Sequence, residues 1–240
     1  MTMPKTETVL SDPRLFVALD LPSIDAARDM VARLGDSVDS YKIGLQLLPI
    51  GGVALGEELK AKGKHVFYDF KLHDIGVTVE KAARSIAGLN TSADADFLTV
   101  HARPDVMKSA ALGKGGSNLK ILGVTVLTSL DRQALKDIGY NDNAEDLVMR
   151  RVEQALEAGI DGVVASPLEA AAIRAAVPDG LLIVTPGVRP AGSDKGDQKR
   201  IATPRDALKS GASHLVVGRP ITQAEDPRKA AQVITQDMQF

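Results

Sequence analysis

The chain has 240 residues and a formal charge of -2 from 29 basic and 31 acidic side chains, so no net field draws it toward nucleic acid or a membrane surface. It has no cysteine, which excludes disulfides, thiolate catalysis and thiolate-held metals, and its 44% hydrophobic content with three Tyr, five Phe and no Trp describes an aliphatic core. No run approaches the ~18 apolar residues of a membrane span, and the polar segment 1–11 has no apolar leader core, so a soluble, cytoplasmic protein is expected.

Apolar runs and helical spacings alternate along the chain. Leu15–Leu19 reads as a buried strand ending at Asp20. Ser23 then caps a helix whose Ala27, Met30, Val31 and Leu34 share a face, and Gly35 ends it. Ser40–Gly44 is a second strand, followed by a helix from about Leu47 to Lys62. Lys64–Lys71 is the third, with a helix over Val77–Leu89. Asp96–His101 is the fourth, its helix opened by Pro104. Lys120–Leu127 is the fifth, and the helical region after it places Leu147, Val148, Val152, Ala155 and Leu156 on one side. Asp161–Ala165, Leu181–Thr185 and His214–Gly218 complete the strands, with a helix over Leu168–Ala176 and a long polar connection over 186–203.

Eight near-continuous apolar strands alternating with helices predict a parallel sheet covered on both faces, closed as a (β/α)8 TIM barrel, a single α/β domain over 1–240 with 1–13 as an N-terminal extension. The alternative for any such series is an open doubly wound sheet. No Gly-x-Gly-x-x-Gly follows the first strand, and the unit count is eight.

Function in a barrel gathers at the carboxyl ends of the strands, where this chain carries Asp20, Lys42, Asp69, Lys71, Asp74, Thr128, Ser129, Arg189, Gln198, Gly218 and Arg219. The densest stretch is Asp69-Phe70-Lys71-Leu72-His73-Asp74-Ile75. Strand alternation puts Asp69 and Lys71 on one face. Three charges at the end of a buried strand are costly unless paired and used, and a structural ion pair needs no third charge. A Schiff-base role for Lys71 requires a neutral amine, whereas flanking carboxylates favour the ammonium, suited to donating a proton or stabilising negative charge. Asp20 alone reads as a helix cap, Thr128-Ser129 equally as a cap or a ligand contact, and His101 and Arg103 as structural. Gly218-Arg219, with Arg189 on the preceding connection, fits a phosphate cradle.

The Asp69-x-Lys71-x-x-Asp74 pattern resembles the signature of the bacterial-type orotidine 5'-monophosphate decarboxylase family. Leu19-Asp20, Tyr41-Lys42-Ile43-Gly44, Val100-His101-Ala102, Val124 to Ser129, Thr185 to Pro190, Gly196-Asp197-Gln198 and Val217 to Ile221 are similar in the same order. The resemblance implies decarboxylation of orotidine 5'-monophosphate to uridine 5'-monophosphate in pyrimidine biosynthesis, without metal or organic cofactor. Lys71 then stabilises and protonates a C6 carbanion, Asp69 lies beside the departing carboxylate, and Lys42 and Asp74 complete an alternating network. Asp20 and Lys42 take the ribose hydroxyls, Thr128 and Ser129 the pyrimidine edge, Gln198 bridges base and phosphate, and Gly218, Arg219 and Arg189 hold the phosphate. Asp74, Ile75 and Thr78 enter the partner's site, so a homodimer is implied. The Pro-Asn common after Asp-Ile in bacterial members is Gly76-Val77 here. The nearest rivals are magnesium-dependent keto-sugar phosphate decarboxylases and hexulose-phosphate synthases, whose metal-binding Glu position is Lys42 here. A non-catalytic phosphate-binding barrel would need an incomplete charge cluster.

Overall fold

The computed structural model describes residues 11–89, 96–141, 143–177, 179–190 and 201–239. Eight parallel strands, β1 (Leu15–Ala18), β2 (Ser40–Gly44), β3 (His65–Leu72), β4 (Phe97–His101), β5 (Lys120–Val124), β6 (Gly162–Val164), β7 (Leu182–Thr185) and β8 (His214–Val217), close in sequence order, with β1 pairing both β2 and β8. Around them lie α1 (Ile24–Leu34), α2 (Gly52–Ala61), α3 (Gly76–Leu89), α4 (Pro104–Lys114), α5 (Arg132–Asp137), α6 (Ala144–Ala158), α7 (Ala170–Ala176), α8 (Pro204–Lys209), α9 (Arg219–Thr222) and α10 (Pro227–Asp237). This is the (β/α)8 barrel that the periodicity predicts. Among the described residues no helix is long and apolar enough to cross a membrane.

Local signals act as expected at α1. Ser23 accepts the Ala26 N–H, Gly35 ends the helix at φ 55°, and Ala27, Met30, Val31 and Leu34 are buried. Three expectations need correction. The helix foreseen over 47–62 is broken: Leu48–Ile50 form a 3-10 turn, Gly51 turns left-handed at φ 117°, and only then does α2 begin. The fifth strand stops at Val124, and the next residue, Thr125, gives both its N–H and its hydroxyl to the Val164 carbonyl as the last contact with the sixth strand. The helical region after it is two helices, α5 and α6, separated by Gly139 at φ 93° and restarted by an Asn143 cap. The short α8 and α9 and the C-terminal α10 are additions to the sequence reading. Their first turns are set by Pro204, Pro220 and Pro227. Gly76 lies at the approach of α3 to α4: a Cβ there would stand 2.6 Å from Ser109 Oγ.

Strand alternation divides the core. Leu15, Val17 and Leu19 face the helices, while Phe16, Phe67, Phe97, Leu122, Val184 and Val216 fill the barrel interior. Phe16 meets Phe67 and Phe97 edge-on, with centroids 5.4 and 5.1 Å apart, plugging the barrel below the mouth. His214 joins this plug, its ring 5.2 Å from Phe97 and its Nδ1 buried with no hydrogen-bond partner among the described residues. Burial first, and then the Arg14 charge, outweigh Asp12 and lower its pKa from 6.5 to about 4. A base with a depressed folded pKa leaves stability intact above its unfolded value and costs it as pH falls from 6.5 toward 4. At pH 5 the wild-type chain is therefore expected to be about 2 kcal/mol less stable than at pH 7 from this group alone. Denaturant midpoints at the two pH values should draw together in His214→Phe. An unchanged gap would remove His214 as the source.

Candidate active site

A cavity of about 570 Å³ opens at the carboxyl ends of the strands, just above the aromatic plug. Asp20, Lys42, Asp69 and Lys71 line it together with Thr128, Arg189, Gly218 and Arg219. The inward face of β2 and β3 explains the first part of this assembly. Lys42 pairs with Phe67 across the strands, and two residues beyond Phe67 the same face presents Asp69.

The charges form a line of alternating sign. Lys42 Nζ lies 3.1 Å from Asp20 Oδ1 and 3.2 Å from Asp69 Oδ2, and Lys71 Nζ lies 2.8 Å from Asp69 Oδ1. Lys42 and Asp69 are buried, while the Lys71 side chain is 27% exposed, so Lys71 is the cation the buried network leaves open to the cavity. Burial, the largest influence on Lys42, pulls its pKa down, but the carboxylates of Asp69 and Asp20 outweigh it and hold the ammonium above its ordinary value. Burial likewise pushes Asp69 up, and Lys42, Lys71 and the Thr99 hydroxyl together bring it below the usual carboxylate range. Both groups are therefore ionised at neutral pH. Each would be prohibitive alone, and each is stabilised by the others.

Simple alternation does not account for Lys71. The β3–β4 register slips between Tyr68 and Leu72, and Lys71 sits at φ 47°, the sole non-glycine with positive φ among the described residues. That conformation costs about 1–2 kcal/mol for an L-residue. Thr99 on β4 lies at the slip: the Lys71 N–H donates to Thr99 Oγ1 at 2.9 Å, and that hydroxyl donates to Asp69 Oδ1 at 2.9 Å. The sequence reading missed Thr99, whose only signal is a polar residue inside an otherwise apolar strand. It also left out Gly44 as a site residue, where a Cβ would come within 2.7 Å of Asp20 Oδ1 and 3.1 Å of Lys42 Nζ, blocking their pairing.

Other foreseen residues stand apart from the cavity. Asp74, Ile75 and Thr78 are exposed at the start of α3, and the Asp74 carboxylate accepts the Ile75 N–H at 2.6 Å, so within one chain Asp74 does not join the Lys42–Asp69–Lys71 line. Ser129 is exposed beside Thr128 and is not part of the cavity wall. Gln198 lies outside the described residues. His101 lies against His73 in a tilted arrangement with centroids 4.9 Å apart, outside the cavity wall, and Arg103 pairs with Asp105. Among the described residues no group of three His, Asp or Glu side chains is gathered to hold a metal ion.

Comparison with known proteins bears on the whole chain. The sequence profile of the family described as "Orotidine 5'-phosphate decarboxylase / HUMPS family" matches residues 13–234. The orotidine 5'-phosphate decarboxylase of Caulobacter sp. (strain K31) is 58% identical over 228 residues, covering 95% of this chain and 98% of that protein. That of Caulobacter vibrioides (strain NA1000 / CB15N) is 56% identical over 232 residues, covering 95% and 98%. The crystal structure of orotidine 5'-phosphate decarboxylase from Lactobacillus acidophilus superimposes with a TM-score of 0.82 at 34% identity, covering 95% of this chain and 100% of that one. With the profile spanning all eight strands of the barrel and the charged line at its mouth, the chain belongs to the orotidine 5'-phosphate decarboxylase / HUMPS family.

Proposed function

We propose that this protein decarboxylates orotidine 5'-monophosphate to uridine 5'-monophosphate and carbon dioxide, the closing step of UMP synthesis, as a homodimer in the cytoplasm. The observation that carries the reading is the Asp20–Lys42–Asp69–Lys71 line, which ends in an ammonium facing the cavity. Loss of carbon dioxide from C6 leaves an electron pair in the ring plane, where the carbonyl π system cannot accept it. Fixed charge must take up that load. The Lys71 ammonium supplies it: as the C6–carboxylate bond breaks, the pair stays on C6 and takes a proton from Nζ, and the neutral amine then recovers a proton from solvent. Asp69 stands beside the departing carboxylate, so its negative charge favours release, while Lys42 keeps Asp69 ionised. The scheme uses no metal or organic cofactor.

Asp20 and Lys42 meet the ribose hydroxyls and Thr128 the pyrimidine edge, with Ser129 adjoining it. Arg189, Arg219 and the Gly218 backbone take the phosphate, and Gln198 bridges phosphate and base. Binding energy from the distant phosphate is then available at the reacting carbon. The family description covers a second activity, but relatives at 56–58% identity carry the decarboxylase name. Lys42, 3.2 Å from Asp69, would also repel a divalent cation at that carboxylate. Loss of orotate-type ultraviolet absorbance, followed with and without excess EDTA, tests the reaction. Conversion indifferent to EDTA is expected, and conversion only with added magnesium, or none, would defeat the proposal.

The shared-site reading draws on the turn that holds Asp74, Ile75, Val77 and Thr78, where Ile75 is 65% and Val77 53% exposed. If these residues complete a neighbour's site, Lys71→Ala and Asp74→Asn chains, each inactive alone, regain activity when mixed. Random pairing makes half the dimers hybrid with one intact site in each, about a quarter of wild-type activity. No recovery after subunit exchange would place Asp74 outside the partner's site.

A further inference from the structure

We infer that Thr99 is a positioning residue for Lys71, fixing the reactive ammonium through the backbone. Tyr68 pairs with Leu98 and Leu72 with Val100, so Asp69, Phe70 and Lys71 on β3 stand opposite Thr99 alone on β4. A ladder with two surplus residues leaves backbone donors without their usual strand partner, and the Lys71 N–H is met by the Thr99 hydroxyl at 2.9 Å. The same hydroxyl spends its proton on Asp69 Oδ1, also at 2.9 Å, which turns its lone pairs toward Lys71. Asp69 Oδ1 in turn receives Lys71 Nζ at 2.8 Å. The lysine is thus held at both ends of one closed ring, its amide by Thr99 and its ammonium by Asp69. Thr99 is fully buried, so solvent does not compete for its hydroxyl.

This ring explains how a left-handed lysine persists. Without the hydroxyl, the Lys71 amide loses its partner, φ 47° loses its restraint, and the backbone is free to return to extended geometry, which swings Nζ away from the cavity. Ground-state binding of nucleotide does not depend on that swing. Transition-state stabilisation does.

Thr99 acts in this way only if Lys71 carries the proton transfer proposed above, so the Lys71→Ala chain is measured beside it. In steady-state decarboxylation, Thr99→Val, which keeps the shape and removes the hydroxyl, is expected to lower kcat about 100-fold with KM within about threefold, the size of effect an ångström of misplacement produces. Thr99→Ser keeps the hydroxyl and is expected within about tenfold of the parent. Should the Val chain fail to fold, the Ser and Ala chains differ by that hydroxyl alone, and Ala is expected at least about tenfold slower than Ser. Parental kcat in Thr99→Val, or a Ser chain as slow as the chain without the hydroxyl, overturns the assignment while Lys71→Ala stays inactive. An active Lys71→Ala chain would instead remove the reading of Lys71, and the positioning role with it.

Discussion

Lys71→Ala is expected to abolish turnover while uridine 5'-monophosphate still binds within a few-fold of wild type. Among the charges of the line, Lys42 and Asp69 are buried and serve one another, and Lys71 alone on β3 brings an ammonium to the cavity surface. Two contributions disappear with it. Preorganised electrostatic stabilisation of developing charge is typically worth about 10²–10³ in rate, and a positioned proton donor a further ~10²–10⁴. Together they put the expected loss in kcat above about 10⁴-fold. The product lacks the reacting carboxylate and keeps its ribose and phosphate contacts, so its affinity reports on the rest of the site. Single-turnover decarboxylation paired with equilibrium titration of the product separates the two. A variant that turns over within tenfold of wild type would take Lys71 out of the mechanism, and one that loses turnover and product binding together would make the lysine a binding group instead.

Asp69→Asn carries the second large effect, because it strikes stability and rate together. Asp69 Oδ1 and Oδ2 engage Lys71, Lys42 and Thr99 at once. Removing the charge leaves the buried Lys42 ammonium with Asp20 alone, and breaking a buried pair costs about 3–5 kcal/mol. For a chain of this size that lowers the melting temperature by roughly 6–20 °C. The rate falls as well, since an amide offers one uncharged acceptor oxygen where the carboxylate offers two, so either Lys42 at the Oδ2 position or Lys71 and Thr99 at Oδ1 face an N–H donor. Thermal melts and kcat measured on the same preparation test both halves. A melt within a degree of wild type with kcat unchanged would show the network to be dispensable.

The pH dependence distinguishes this network from the aromatic plug. Asp69 has a folded pKa below its ordinary value, so its contribution is complete above the unfolded value of 3.8 and is lost only as pH falls through the still lower folded value. Lys42 is raised, so its contribution is complete below 10.5 and is lost as pH rises through the higher folded value. Across the neutral range the Lys42–Asp69 pair is therefore constant. The acid loss below 6.5 comes instead from partly buried histidines, His214 at the other end of the barrel, lowered to about 4, and His101, which burial and then the His73, Arg151 and Lys71 charges also lower.

What the sequence by itself determined are the features written in short range. Apolar runs of strand length, helical spacing, the Ser23 and Gly35 signals and prolines at helix starts specify the β/α alternation and the number of units, because each depends on residues within a turn or two. The charged stretch of β3 was legible for the same reason, and ordered similarity along the chain extended it to Asp20, Lys42, Arg189 and Arg219. Tertiary structure decided how those residues meet. The bond that holds Lys71 comes from Thr99, 28 residues away, and exists only because β4 pairs with β3 in a slipped register. The Lys42–Asp20 pair likewise needs β1 beside β2 and a bare Cα at Gly44. Neither contact leaves a periodic trace, since a β-branched Thr inside a strand and a Gly at its end are ordinary there. Strand registry, set by closing the whole barrel, turned a line of charged letters into one ammonium held at a fixed place.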